Sequence, residues 1–523
     1  MDNIKKRYWA AIGICTGVFS VAMDWSVVNN SLPSIQRSLG TSLGELQWIM
    51  NAFGLSMTIS LVTMGRLGDI IGRRRLYYIG LIIFGLSSIG AAISPSAIFL
   101  IVNRCFQGLS MAIMMPCSQS LITHAFPEEL HGKALGIWMT IMGIGISIGP
   151  VVGGIVVTLL SWHWIFYLNL PFVIVSLILI KIFVEESRNE SQAPKFDIPG
   201  VILLTIALGS FVIALVQAPT WGWNTPIFWG LLGTSVLGFI AFFFAEHRAE
   251  SPLIQFEFFN NRQFFAGSLG AYSIAFLFWG VFFLVPLYLQ NVRGLSPAGS
   301  GLMLISQTIP FAILSHYAGT ISHRVGTKVL VKVGVLISAL GVLLMTFYTI
   351  TTPLVLVGIA LGLFGIGGGL MFGPTTSLGI SALPRSASGL AAGAVTTMQE
   401  IGSAMGLTLV GTLFRSQEKA ALSENLLKEN IQLPPVTIEK IRSLMSSYDH
   451  LKQEILRFPS PTQKKIITAF QQSFVDGFAW GMWLCVFIAT LSLVLILFTL
   501  KKTKKWTEVP YIKKIDQPNF SSP

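Results

Sequence analysis

Apolar runs of about twenty residues, parted by short polar turns, recur along the whole chain. Wound as a helix, a run of this length crosses the roughly 30 Å hydrocarbon layer of a bilayer. Fourteen cores follow, at 8–28, 48–66, 76–94, 98–122, 134–159, 166–184, 198–216, 226–245, 264–288, 299–320, 330–349, 353–376, 387–412 and 474–499. The pattern predicts an all-α integral membrane protein with 14 transmembrane helices. An even number of crossings puts both termini on one side. One sizeable polar stretch interrupts the series, 413–473, and it reads as two short amphipathic helices split by Pro434-Pro435 that form an extracytoplasmic cap.

Composition agrees with the pattern. Of 523 residues, 53% are hydrophobic and 11% charged, against about 25% charged in ordinary soluble domains. So few charges cannot clothe a water-soluble surface, which excludes a soluble enzyme, a disordered chain and a nucleic-acid binder. The net charge of +12 has another origin. With the N-terminus in the cytoplasm, 23 Lys and Arg fall in cytoplasmic segments, while the short outer loops hold two, Arg37 and Arg293. That is the positive-inside bias, and it puts both termini in the cytoplasm. Lys5-Lys6-Arg7 therefore opens the first span and not a signal peptide, since the run carries Asp24 and no small-x-small site follows. Cys15, Cys105, Cys117 and Cys485 sit in apolar runs without metal-ligand spacing, so they read as packing residues and no metal or cofactor is expected.

An internal repeat shapes the domain reading. Gly65-Arg66-Leu67-Gly68-Asp69-Ile70-Ile71-Gly72-Arg73 follows span 2, and Gly319-Thr320-Ile321-Ser322-His323-Arg324-Val325-Gly326 follows span 10. If span 10 repeats span 2, spans 9–14 repeat spans 1–6. The chain then divides into a six-helix bundle (1–184), two inserted helices with linkers (185–262), a second six-helix bundle including the 413–473 loop (263–500), and a cytoplasmic tail (501–523). Two halves with a site between them are a transporter architecture.

Charges within spans are costly and mark function. Three stand out: Asp24 in span 1, Arg104 in span 4 and Glu400 in span 13. A desolvated carboxylate can load and release a proton, or pair with a cationic substrate, and competition between those roles couples an exchanger. The alternative is a structural ion pair of Asp24 or Glu400 with Arg104. In the turn after span 2, Gly65 and Gly72 allow tight turning, and Asp69 can cap a helix N-terminus or pair with an arginine such as Arg73. Contacts of this kind latch one conformation of two rocking bundles. In span 5, Gly145, Gly149, Gly153 and Gly154 allow close helix packing, and Pro150 bends the helix, which together suggest a hinge. Trp25 offers a ring face for a flat cation.

These residues carry a resemblance. The chain resembles the major facilitator superfamily, in its fourteen-span drug:proton antiporter branch of EmrB/QacA type. The Gly65–Arg75 turn is similar to the superfamily's loop between spans 2 and 3. Asn103-Arg104-Cys105-Phe106-Gln107-Gly108 resembles its span-4 motif, whose arginine is implicated in proton transfer. Gly143 to Gly154 resembles the span-5 antiporter motif, and Met23 to Pro33 and Trp162 to Pro171 resemble the branch's span-1 and span 5–6 signatures. Ile70 departs from the pattern where a basic residue is usual, His163 where arginine is usual, and Asn30 adds a polar group beside Asn29.

The resemblance implies two six-helix bundles plus two inserted helices, and no enzymatic activity. It implies a bacterial plasma-membrane secondary transporter that exports lipophilic, cationic compounds by alternating access against protons. It also implies a functional monomer, with a periplasmic adaptor as partner in a Gram-negative host. A dedicated exporter of an endogenous metabolite on the same fold is the main alternative, and a membrane-embedded enzyme or sensor a remote one.

Overall fold

A computed structural model of the chain describes residues 3–127, 131–187, 197–249, 252, 256–383, 388–429 and 459–500. Its helices are α1 (Asn3–Leu39), α2 (Leu43–Ile71), α3 (Arg73–Ala92), α4 (Ala97–Ala125), α5 (His131–Leu159), α6 (Trp164–Tyr167), α7 (Asn169–Phe183), α8 (Ile198–Trp221), α9 (Pro226–Arg248), α10 (Arg262–Leu287), α11 (Pro297–Val325), α12 (Thr327–Met345), α13 (Leu354–Ile380), α14 (Ser388–Lys428) and α15 (Ser460–Leu500). With α6 and α7 forming one crossing, the described residues make the fourteen crossings that the pattern predicts. The side on which α1 starts and α15 ends is the terminal side; the other is the distal side.

Helix ends follow local chemistry. Ser42 and Glu45 form a reciprocal capping box at the start of α2. Ser96, Thr225, Asn261 and Ser296 cap α4, α9, α10 and α11 through their side chains. Gly72 ends α2 at φ 112° and Gly326 ends α11 at φ 89°, a region that L side chains rarely adopt.

Among the described residues, twelve helices are apolar and long enough to span. The other two crossings, α2 and α14, pack on each other at the centre of the molecule. Facing protein rather than lipid, they are free to carry polar side chains. The remaining long contacts run within α1–α7 and within α10–α15, with α5 against α11, and α1 against α10 and α11, as the other bridges between halves. Helices α8 and α9 pack on each other, and α8 lies against both α2 and α14.

The repeat goes deeper than the two turns. Helices α2 and α11 are each 29 residues long. In the first half Gly145 and Gly149 of α5 lie on the carbonyls of Phe19 and Met23 in α1. In the second, Gly402 and Gly406 of α14 lie on the carbonyls of Tyr272 and Phe276 in α10. The same glycine pair makes the same close approach in both halves.

The polar stretch 413–473 differs from expectation. Its described parts, 413–428 and 460–473, are not separate short helices but continuations of α14 and α15. They hold because they lean on each other. Phe414 and Phe474 pair edge to face at 4.8 Å, and Asn425 donates to Ser473 (3.1 Å) and Asp476 (2.9 Å). Pro434-Pro435 and the tail 501–523 lie outside the described residues.

Candidate functional site

Asp24 and Arg104 meet. Arg104 Nη1 lies 2.6 Å from Asp24 Oδ2, and both side chains are fully buried. Four helices build the surroundings. Asn169 of α7 donates to Asp24 Oδ1 at 2.7 Å, and Gln107 of α4 accepts from Arg104 at 2.8 Å. Both amides also donate to Ser88 of α3, at 3.3 and 2.9 Å. The guanidinium lies 4.3 Å from the Phe53 ring centroid. Asp24 and Arg104 thus form a buried, hydrogen-bonded ion pair, one of the contacts the sequence left open. Ser88, Gln107 and Asn169 were missed there, because nothing local shows that three small polar residues converge on one carboxylate.

Trp25, one residue on, points elsewhere. It stacks on Trp279 of α10, with ring centroids 4.7 Å apart, and together they wall a narrow central cavity. Phe278, Phe311 and Phe372 from the second half, Ile146 from α5, and the polar groups of Ser26 and Gln399 complete most of the lining. Among the described residues no carboxylate lines it, neither Asp24 nor Glu400. The expectation of cationic cargo drew on those two acids, and the cavity offers ring faces instead.

Glu400 is buried in α14 but apart from the Asp24–Arg104 pair. Its neighbour Gln399 faces the cavity. Ala404, on the same helix face as Glu400, packs with Leu55 of α2 and Leu204 and Leu208 of α8. Glu400 therefore belongs to the seam where α2, α8 and α14 meet, and its Oε2 has no protein hydrogen-bond partner.

The side chain of Asp69 lies outside the described residues. The N-terminus of α3 is capped by Glu186, which accepts from the backbone of Arg74 (2.9 Å) and Arg75 (3.2 Å). Gly72 makes room for that carboxylate, and Arg73 reaches Ser187, its backbone N–H donating to the Ser187 carbonyl at 3.0 Å. Gly65 lies against Pro116 of α4. Within the span-5 motif the glycines divide by role. Gly145, Gly149 and Gly153 pack on α1, whereas Gly154 meets the carbonyl of Pro297 in α11. Helix α5 continues through Pro150.

That last contact belongs to a lock on the distal side. Asn30 Nδ2 donates to the carbonyls of Pro150 (3.0 Å) and Pro297 (2.9 Å). Its Oδ1 accepts from Ser300 (2.8 Å) and Gln290 (3.2 Å). Gln290 sits in a π-helical turn, Tyr288–Val292, that follows Pro286 and aims it at α1. Every hydrogen-bonding position of the Asn30 amide is used, and three of its four partners belong to the opposite half.

Two bundles related by an internal repeat, a cavity between them and a lock across one mouth are the anatomy of a secondary transporter. The profile of the Major Facilitator Superfamily matches residues 14–407. The chain belongs to that superfamily. Over 412 residues it is 34% identical to multidrug resistance protein Stp of Mycobacterium tuberculosis (strain CDC 1551 / Oshkosh), covering 78% of this chain and 76% of that one. It is 31% identical over 417 residues to the tetracenomycin C resistance and export protein of Streptomyces glaucescens, covering 80% and 78%. Its fold is similar to that of a bacterial homologue of the human lysosomal transporter Spinster, with a TM-score of 0.67, 15% identity, and coverage of 96% and 99%. The chain is thus a multi-pass membrane transporter of small molecules and not an enzyme.

Proposed function

We propose that this superfamily member is a proton-coupled exporter of lipophilic compounds bearing flat ring systems. The observation that carries the reading is the cavity between the halves, walled by the Trp25–Trp279 stack and by Phe278, Phe311 and Phe372. Aromatic faces bind flat rings by stacking and hold delocalised cations without a carboxylate. The resistance and export functions named for the relatives support export as the direction. The terminal side then faces the cytoplasm, as the Lys and Arg bias requires, and the membrane is the bacterial plasma membrane.

Glu400 is the proton carrier in this mechanism. It adjoins the cavity residue Gln399 yet faces a separate seam, so protonation acts on the helix and not on the cargo directly. With the distal mouth open, Glu400 takes a proton and cargo leaves. The halves then close across Asn30 and open to the cytoplasm, where the proton is lost and cargo binds again. A membrane potential adds roughly 2.3 kcal/mol per charge per 100 mV. Asp24 and Arg104 hold the first half together. A monomer suffices, because both halves lie in one chain.

The test uses proteoliposomes with an imposed pH gradient and an internal pH dye. A panel of lipophilic cations and neutral polycyclic aromatics is added. Proton movement triggered by several of them, and lost in Glu400→Gln, is the expected result. Silence across the panel with folded protein overturns this reading and favours a dedicated metabolite exporter.

A further inference from the structure

The seam holding Glu400 contains more polar chemistry than packing needs. Gln47 and Asn51 of α2 are fully buried, and both amide atoms of Gln47 and Nδ2 of Asn51 lack a hydrogen-bond partner in the protein. So do Glu400 Oε2, Arg415 Nε and Glu418 Oε1 of α14. These groups share one line. The antiparallel packing sets Asn51 against Thr408, whose hydroxyl donates to it at 3.2 Å. It sets Gln47 against Gly411, and Gly44 against the Arg415 guanidinium. Continued the other way, the same register brings Thr58, also buried, level with Glu400. From Glu400 to Glu418 the helix rises about 27 Å, close to the thickness of the hydrocarbon layer.

The outer wall of the seam is the inserted pair. Thr412 donates to the Leu215 carbonyl of α8 at 3.0 Å, and Arg415 donates to that of Val216. Leu204, Leu208, Val212 and Val216 of α8 face α2 and α14. Without α8 and α9 the unpartnered groups would meet lipid, where each costs several kcal/mol. Between Asn51 and Glu400 the line is interrupted by Leu55 and Ala404, packed on Leu208.

Buried polar groups without protein partners are served by water. A row of them from the distal surface to a buried carboxylate has the chemistry of a proton path. We infer that the α2–α8–α14 seam is a hydrated proton conduit from the distal side to Glu400, lined by Glu418, Arg415, Gln47 and Asn51, gated at Leu55 and Ala404, and sealed from lipid by the two inserted helices. Protons and cargo then travel by separate routes, the cargo through the aromatic cavity on the other side of Gln399. Glu400 faces no other charge within the spans: α2 between Gln47 and Thr63, α8 after Asp197, α10 after Arg262 and all of α13 carry no ionisable Asp, Glu, Lys, Arg or His. The proposal rests on Glu400 being the proton carrier.

The experiment compares wild type, Gln47→Leu/Asn51→Leu and Asn51→Ser in proteoliposomes, with ethidium as the flat cation. Two fluxes are read: proton movement driven by ethidium under a pH gradient, and ethidium exchange with no gradient. The Leu pair is expected to slow proton movement by at least about tenfold, as loss of a proton-transfer step does, with exchange unchanged. Asn51→Ser, which keeps a hydroxyl for water, is expected to retain the wild-type proton rate. Equal loss of both fluxes, or unchanged proton movement in the Leu pair, overturns the conduit. If wild type moves no protons with any of the panel compounds, the antiport reading itself fails. Hydroxyl-radical footprinting of the full-length protein, which oxidises side chains beside buried water, then judges the path alone: labelling of Arg415 and Leu55 supports it, and protection of both refutes it.

Discussion

Replacing Asn30 with alanine should unlock the distal side. Its amide makes four hydrogen bonds, and those to Pro297, Gln290 and Ser300 join opposite halves. A hydrogen bond contributes about 0.5–1.5 kcal/mol net, so three contribute roughly 1.5–4.5 kcal/mol to the closed state. Each 1.4 kcal/mol is a factor of ten, so Asn30→Ala should shift the ratio of distal-closed to distal-open molecules by about tenfold to a thousandfold. Spin labels at Leu160→Cys and Val355→Cys, two exposed distal positions in opposite halves, report the separation by pulsed dipolar spectroscopy. A longer distance population should appear in Asn30→Ala. Gly301→Ala is an independent wedge, because its new Cβ would press on the Pro150 carbonyl and on the Asn30 amide. If neither substitution changes the distance distribution, the amide is a packing feature and not a lock.

Three further outcomes are expected. Gly149→Ala should destabilise by about 1–3 kcal/mol through overpacking on Met23 and Ser26, whereas Gly143→Ala, with nothing within 4 Å of the new Cβ, should leave the melting temperature in detergent unchanged. Asp24→Asn or Arg104→Gln alone should cost about 3–5 kcal/mol by stranding a buried charge, and the double substitution should recover much of the loss in the same melting assay. Burial pushes the Glu418 carboxyl, one turn beyond the level where Arg415 meets Gly44, up to about 8 from its ordinary 4.5. The folded protein then holds a proton that the unfolded chain releases, so this contribution is complete below pH 4.5 and is lost as pH rises towards 8. Melting temperature should fall across that window in wild type and vary less in Glu418→Gln; a Glu418→Gln curve parallel to wild type would remove Glu418 as the cause.

The number of helices was legible because hydrophobic length is a local property that a bilayer reads directly. Even α2 and α14, which carry several polar residues, were legible as the apolar cores 48–66 and 387–412. The glycines of α5 were legible as close-packing residues, yet their division between α1 and α11 was not. In the described parts of 413–473, α14 and α15 run on past the bilayer cores because Asn425, Ser473 and Asp476 satisfy one another across the two extended helices, a pairing that no local pattern shows.

Sequence by itself determined what burial in lipid demands: fourteen apolar cores, the charge asymmetry of the loops, and the rarity of charge within spans that singled out Asp24, Arg104 and Glu400. Tertiary structure decided what each of those groups meets, because a partner eighty or more positions away leaves no periodic trace in the chain. Asp24 is neutralised by Arg104 from α4 and Asn169 from α7, while Glu400, equally conspicuous in the sequence, meets neither. Asn30, a plain amide in the chain, becomes the one side chain that binds Pro150, Pro297, Gln290 and Ser300 together, since only the packed halves bring those groups within 3.2 Å of it.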